Sequence, residues 1–313
     1  MKRLSTIRLI TLLIICLMWD TPAECQYLTG GSSLNNLVKL RMPMSSEQRA
    51  ITTLESYGIS VTTNEDGHAT NVVTSSTIEP AKVVLKPLAN LPFLTSLVTK
   101  KNSISNADVK HLSKLTGLES LQIDNVGFTD AFLAKLKGLV NLKVLFIETA
   151  QQDFEDLARG IGPETLDHFL NRPLITDKGL KYLRNMSMLE FLSLDGSRIT
   201  GSGFVHLHYL EKLEFLSLRE SGLTDDGMKG LSGLVGLKHL TLADTQITGE
   251  GLRNLAALKN LESLDVENTH LNDSTVQYLA KVVNLKTLTL SNTEISDYGL
   301  VRLHKLTMLE ELS

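Results

Sequence analysis

Leu-x-x-Leu-x-Leu returns every 24 residues along much of this chain, and a fixed period of that length leaves few folds open. It stands at Leu189, Leu192 and Leu194, at Leu213, Leu216 and Leu218, and at Leu237, Leu240 and Leu242. It continues at Leu261, Leu264 and Val266 and at Leu285, Leu288 and Leu290. The second half of each unit repeats too, as Leu223-Thr224-Asp225-Asp226-Gly227, Ile247-Thr248-Gly249-Glu250-Gly251 and Ile295-Ser296-Asp297-Tyr298-Gly299. No unit of this size buries its apolar face alone, so the units must stack into a solenoid, and the stack is what folds.

One unit can be read from its alternation. Counting the first leucine as position 1, positions 1, 4 and 6 face inward and positions 3, 5 and 7 face out, because side chains alternate along a strand. Neighbouring units then pair as parallel strands. Position 9 is Ser197, Ser221, Thr245, Thr269 or Thr293, a hydroxyl placed to bond backbone that has left the sheet. Position 11 returns an apolar plug, such as Ile199, Leu223 or Ile247. Thr or Ser at position 12, often followed by Asp, caps a short helix, whose inward stripe reads Leu252, Leu255, Leu258. Gly179, Gly203, Gly227, Gly251 and Gly299 at position 15 suit close packing of the helix start on the next unit. Aromatics are only 5% of the residues, so leucine carries the packing.

The ends carry different signals. Lys2, Arg3 and Arg8 precede an apolar run at residues 9–19, and Thr21-Pro22-Ala23 offers small residues for cleavage, so residues 1–23 read as a secretory signal peptide cut after Ala23. The other reading is an uncleaved anchor, since Trp19 and Asp20 crowd the site. Cleavage leaves 28 basic against 34 acidic residues, a net charge of −6, which argues against nucleic acid and anionic lipid as partners. It also leaves Cys25 as the one cysteine, so no internal disulfide forms; Glu24 argues against lipidation there. No other segment is apolar enough to span a membrane, so no membrane insertion is expected after cleavage. Residues 24–44, with Gly30-Gly31-Ser32-Ser33, read as a flexible leader. Residues 45–69 read as an N-terminal cap: a helix opened by Ser45 and Gln48 at capping-box spacing and ended by Gly58, then two strands around Asn64-Glu65-Asp66-Gly67.

Repeats fill residues 70–313, about ten units, starting weakly near Thr70. Clear units open at Leu94, Leu118 and Leu142, then at Thr165 after only 23 residues, then at Leu189 and onward in steps of 24. The joint is irregular: Gln151-Gln152-Asp153 replaces the turn signature and Pro173 stands where the next hydroxyl belongs. It reads either as repeat decay or as a functional bend. The last unit opens at Leu309 and stops at Ser313, which suggests a fragment of a longer chain or an edge that pairs with another copy.

The pattern L-x-x-L-x-L-x-x-T-x-I-T-D-x-G-L-x-x-L resembles the 24-residue leucine-rich repeats of secreted planctomycete-type bacterial proteins, over residues 45–313. That resemblance implies an α/β leucine-rich-repeat solenoid, a right-handed horseshoe or arc, with a parallel β-sheet on the concave face and short α-helices on the convex face. Ribonuclease inhibitor and F-box receptors carry longer units or a turn cysteine. Their absence here, with a signal peptide present, argues against a ubiquitin-ligase role. The family serves many binding roles, so function has to be read from the site.

No catalytic residue, cofactor site or metal site emerges. His206 and His208 point apart on a helix, His304 repeats the His208 position, and His168 sits at a core position beside Thr165. Asp130 and Asp225-Asp226 have the spacing of helix caps. The concave face says more. Stacking in register puts Phe146, Phe169, Phe191 and Phe215 on four successive units, with His239 following and Asp195, Arg219, Asp265 and Glu267 around them. Clustered aromatics on a solvent face are typical of interface anchors, though rings also pack on one another to stiffen a sheet. The expectation is a non-catalytic protein- or peptide-binding protein, secreted, periplasmic or on the cell surface. The alternatives are a structural surface module and an ancillary repeat domain of a larger, truncated protein.

Overall fold

The computed structural model describes residues 44–74, 85–99, 108–124, 128–148 and 174–313. The signal, the leader, His168 and Phe169 lie outside the described residues. The first element is α1, Ser46–Ser56. The Gln48 backbone N–H donates to the Ser45 hydroxyl and the Gln48 side chain accepts from the Ser45 N–H, so two donors that every helix start leaves open are satisfied reciprocally. Ala50 and Leu54 bury the inner side. A turn closed by Gly67, at φ 81°, then joins β1 (Ser60–Thr63) to β2 (Ala69–Val73) as an antiparallel pair.

From β2 onward the sheet is parallel. Its strands are β3 (Ser96–Thr99), β4 (Ser120–Asp124), β5 (Val144–Glu148), β6 (Phe191–Asp195), β7 (Phe215–Ser217), β8 (His239–Thr241), β9 (Ser263–Asp265), β10 (Thr287–Thr289) and β11 (Glu311–Leu312). They pair strictly in chain order, an open sheet of 11 strands among the described residues. This is an α/β leucine-rich-repeat solenoid. β2 pairs Asn71 with Ser96, so its inward residues are Ala69, Val72 and Thr74, and the first rung starts one residue before Thr70.

Inside the stack the leucines at positions 1, 4 and 6 are buried from rung to rung, as Leu213, Leu216 and Leu218 are, and the plugs Ile199, Leu223, Ile247 and Leu271 close the core from the turn side. Each such side chain contributes about 1.5–3 kcal/mol of burial, shared with the rungs above and below. The return path includes the expected α-helix at Asp130–Leu136, capped by Thr129, and is tighter elsewhere. It uses 3₁₀ turns at Asp108–Lys114, Leu180–Tyr182, Phe204–His206, Gly227–Gly233, Arg253–Ala257 and Val301–Lys305, with α-helical turns of four residues at Gly249–Leu252, Val276–Leu279 and Asp297–Leu300. A 3₁₀ turn rises about 2.0 Å per residue against about 1.5 Å for α, so it covers the same length with fewer residues.

The expected rung opening at Thr165 needs correction. Val144 pairs directly with Phe191 and Glu148 with Asp195, so β5 and β6 are neighbours in the sheet. The convex side agrees. Asp130 reaches Thr176, 46 residues on, where Asp177 reaches Thr200 and Asp225 reaches Thr248 across 23. The strand at Leu142 and the turn at Ile175 are therefore two halves of one rung. The expected strand at Thr165 falls outside the described residues; those on either side pair and bond with each other directly.

The aspartates at position 13 also differ from expectation. They do not cap their own helix. Asp225 accepts from the backbone N–H of Thr248 (2.8 Å) and from its hydroxyl (2.6 Å), and Asp273 does the same for Ser296 at 2.8 and 2.6 Å. The hydroxyl at position 12 in turn caps its own helix, Thr248 accepting from Glu250 and Ser296 from Tyr298. Asp226 is paired instead with Lys229, 2.7 Å away. Each aspartate needs room on the next rung. A Cβ on Gly179, Gly251 or Gly299 would collide with the carboxylate of Asp130, Asp225 or Asp273, which is why position 15 is glycine. Where position 15 is Thr275, the preceding aspartate is replaced by Gly249.

Candidate functional site

The outward residues of β5 to β9 form a continuous face. Phe191 stands opposite Phe215, and Phe215 opposite His239, in adjacent strands of one register. The Phe191 and Phe215 rings stack with centroids 4.0 Å apart and planes 8° from parallel. Phe146 joins at 6.3 Å from Phe191, and His239 at 6.1 Å from Phe215. Three phenylalanines and a histidine thus make one aromatic run over four neighbouring rungs. Phe146 stands two residues further along its strand than the others, opposite Ser193. The direct pairing of β5 with β6 brings it beside Phe191. The phenylalanines are half-buried, and His239 is exposed. Ser193 and Ser217, the next outward residues along β6 and β7, are buried.

Four positions further along the strands the chemistry changes to charge. Asp195 accepts from the Ser217 hydroxyl (2.6 Å) and from the Arg219 backbone N–H (2.9 Å). Burial raises its carboxyl above the usual carboxylate range, against these bonds and the nearby Arg219 charge. The Arg219 guanidinium lies 2.7 Å from Asp244 and 3.9 Å from Glu220. Glu220 is also pushed up, first by burial and then by the like charges of Asp244, Asp195 and Glu148, with Arg219 opposing. Glu220 therefore lies near three other carboxylates, with the Arg219 guanidinium beside it and Asp244. Asp265 and Glu267 lie on the next rung outward, where the Asp265 carboxylate accepts from the Glu267 backbone N–H at 3.0 Å. The expected acidic surround is thus two groups, of which Asp195 and Arg219 stand four residues along the chain from Phe191 and Phe215.

The carboxylates are aimed by a turn that the sequence pattern does not advertise. Gly196, Glu220, Asp244, Asn268 and Asn292 share position 8, and all have φ between 53° and 67°. The N–H groups of Gly196, Glu220, Asp244 and Asn268 donate to the rung that follows, as Glu220 to the Ala243 carbonyl (3.0 Å) and Asp244 to Glu267 (2.9 Å). Asn and Asp tolerate this region and Gly prefers it; Glu220 does neither well. The hydroxyls at position 9 are split. Thr245, Thr269 and Thr293 donate to the carbonyl three residues back, whereas Ser197 and Ser221 are buried with no hydrogen-bond partner.

The opposite rim, at position 2, is a ladder of ion pairs: Lys143 with Glu119 (2.8 Å), Lys238 with Glu214 (2.8 Å) and Lys286 with Glu262 (2.6 Å). Each joins one rung to the next, and Glu190 and Glu310 stand at the same position, so this edge carries acidic charge too. The face thus has charged residues at both the strand starts and the strand ends, with the rings between them.

The remaining histidines are dispersed. His208 bonds the Gly230 carbonyl at 2.9 Å and His304 the Val301 carbonyl at 3.0 Å, and neither meets His206. Among the described residues no group of three or more His, Cys, Asp or Glu is arranged to hold a metal ion. No helix among them is long and apolar enough to cross a membrane. An open cleft of about 520 Å³ lies between α1 and the turn at Leu85–Leu88, lined by Arg49, Lys86 and Asn90 among others, away from the rings.

Fold and repeat together are those of a leucine-rich-repeat solenoid. The family pattern described as leucine-rich repeat matches residues 237–256. Among solved structures, the chain is similar to an internalin from Listeria monocytogenes, 24% identical, covering 73% of this chain and 56% of that one with a TM-score of 0.56. It is also similar to internalin C2 of the same organism, 19% identical, covering 84% and 91% with a TM-score of 0.50. At these identities the likeness is one of fold. The chain spans a little over half the length of the first of these structures. A comparison with curated protein sequences finds no match.

Proposed function

We propose that this chain is a non-catalytic protein- or peptide-binding leucine-rich-repeat protein that works outside the cytoplasm, and that it binds through the ring face of β5 to β8. The observation that carries this is the run Phe146, Phe191, Phe215, His239 on the outward side of the sheet. A chain with 9 phenylalanines in 313 residues has three of them touching on one outward face, where they add nothing to the leucine core. Aromatic clusters of this kind are the usual anchors of protein interfaces. The N-terminal sequence supports the location: residues 1–23 as a signal peptide and 24–44 as a leader, followed by a cap at 45–69 and repeats over 70–313.

The test is a comparison of captures from the secreted and envelope fractions of the source organism. The wild-type chain is expected to retain a protein that the Phe191→Ser/Phe215→Ser double variant loses, with circular dichroism of the two chains alike. Equal retention by both chains sinks the reading.

A further inference from the structure

The return side of the stack is unevenly charged. The stretches 108–117, 129–141 and 176–188 hold seven Lys or Arg against three Asp or Glu. The five later ones, 200–212, 224–236, 248–260, 272–284 and 296–308, hold seven against six. Each of the first three sets one cation at position 17 or 18 and another at 20 or 21: Lys110 and Lys114, Lys135 and Lys137, Lys181 and Arg184. All six are exposed. The turn at Asp108–Lys114 packs against the helix at Asp130–Leu136, and that helix against the turn at Leu180–Tyr182, so the three pairs stand on neighbouring elements. Position 14 explains why they stay bare. Asp226 and Glu250 stand there in later rungs and pair with Lys229 and Arg253, three residues on. The early rungs have Ala107, Ala131 and Lys178 instead. Among the described residues no carboxylate is ion-paired with any of the six cations. Of the three acids in these stretches, Asp130 and Asp177 turn their carboxylates to Thr176 and Thr200 on the next rung, and the third is Asp108. Lys181 and Arg184 lie over the rings of Tyr182 and Tyr209, at 5.0 and 4.1 Å.

We propose that this row of cations is a second binding surface, separate from the ring face, and that it holds a linear acidic polysaccharide with a carboxylate on each sugar. The row runs from rung to rung, so it follows a chain rather than covering a plane. The leucines between the cations, Leu112, Leu136 and Leu183, are buried, which leaves no aliphatic side chain there to enter a bilayer. Each exposed ion pair is weak alone, but carboxylates joined in one polymer meet the row together, and their contributions add. The chain as a whole carries a net charge of −4. Screening over about 8–10 Å makes a partner respond to the local row rather than to that total.

The experiment measures binding of the full chain to immobilised polygalacturonate. The chain is expected to bind in about 50 mM salt and to be released by about 500 mM. Methyl-esterified polygalacturonate, the same polymer without its charge, should not hold it, and this arm does not depend on how any variant folds. Lys135→Ser/Lys137→Ser/Lys181→Ser is expected to weaken binding about tenfold, as the loss of three exposed pairs should. The charge-matched Lys229→Ser/Lys259→Ser/Lys281→Ser, on later rungs, should change it less than about twofold. No binding in low salt, equal binding to the esterified polymer, or equal loss in the two triple variants overturns the row as a site. A chain held more tightly by single-stranded DNA or by phosphatidylglycerol vesicles than by polygalacturonate overturns the choice of partner. Phe191→Ser/Phe215→Ser should bind the polymer as the wild type does, and a loss there overturns the separateness of the two surfaces.

Discussion

Asp195 keeps a charge where burial opposes one. Its raised carboxyl means that the folded chain holds this proton more tightly than the unfolded chain does. The contribution of Asp195 to stability is therefore greatest at acid pH and is lost as pH rises through the folded value. Both bonds from Ser217 and Arg219 end on the same oxygen, Oδ1, which an asparagine can supply. Asp195→Asn is accordingly expected to be more stable than wild type at pH 7, with the gain shrinking toward pH 4, as read from urea unfolding across that range. Equal stability at both pH values would show that the charge has no cost. Asp225 argues the other way. Asp225→Ala strips the Thr248 N–H and hydroxyl of their acceptor and is expected to cost about 2 kcal/mol, seen as a lower denaturation midpoint at unchanged slope. At Gly249 a side chain would run into Thr275, so Gly249→Asp is expected to lose about 2–3 kcal/mol, and adding Thr275→Gly should restore most of it by recreating the aspartate–glycine pair of the other junctions. Thermal unfolding of the two variants checks this, and a double variant no better than the single one refutes the pairing rule.

The rung is the element of this fold, and one rung is unlike the rest. Between Leu142 and Leu189 the chain spends 47 residues where its neighbours spend 24. Deleting residues 151–173 leaves 24, with Ile175 at the plug position, and the shortened chain is expected to unfold cooperatively with a melting midpoint within a few degrees of wild type. Loss of cooperative unfolding would mean that the removed stretch is part of the core. The sequence carries half of this story. Strand registers from β6 to β11, the turn hydroxyls and the tight glycines all follow from the period, because each rung meets the same neighbours. The expectation of a strand at Thr165 between β5 and β6 arises because Thr165, His168 and Leu170 have the spacing of inward residues, and spacing states what a segment is able to form, not what β5 and β6 pair with. A clue was present in complementary damage: the unit at Leu142 lacks its turn signature, and the unit at Thr165 has a poor strand half. Only the reach of Asp130 to Thr176 shows that the two halves complete each other.

At the scale of the molecule, stability is a sum of rungs and of the interfaces between them. Leu216, fully buried in the middle of the stack, supports β6 and β8 as well as its own strand. Leu216→Ala is expected to cost about 2–5 kcal/mol and to lower amide protection on both neighbouring strands, measured by hydrogen exchange. Loss of protection confined to β7 would contradict a shared core. The site shows the same limit of local reading. Phe191, Phe215 and His239 are legible as one column from the period alone. Phe146 is not, since its nearness to Phe191 depends on which strand follows β5. The carboxylate cluster depends in turn on left-handed turns at Glu220 and Asp244, which no hydrophobic pattern encodes. The ring stack has one more consequence. Adjacent strands stand about 4.8 Å apart, yet the Phe191 and Phe215 centroids are 4.0 Å apart, so the two side chains lean together and hold each other's rotamers before any partner arrives. The entropy of ordering an interface then falls on the incoming segment alone, and partners already held extended, such as a strand at the edge of another domain, should dock faster than free peptides of the same sequence.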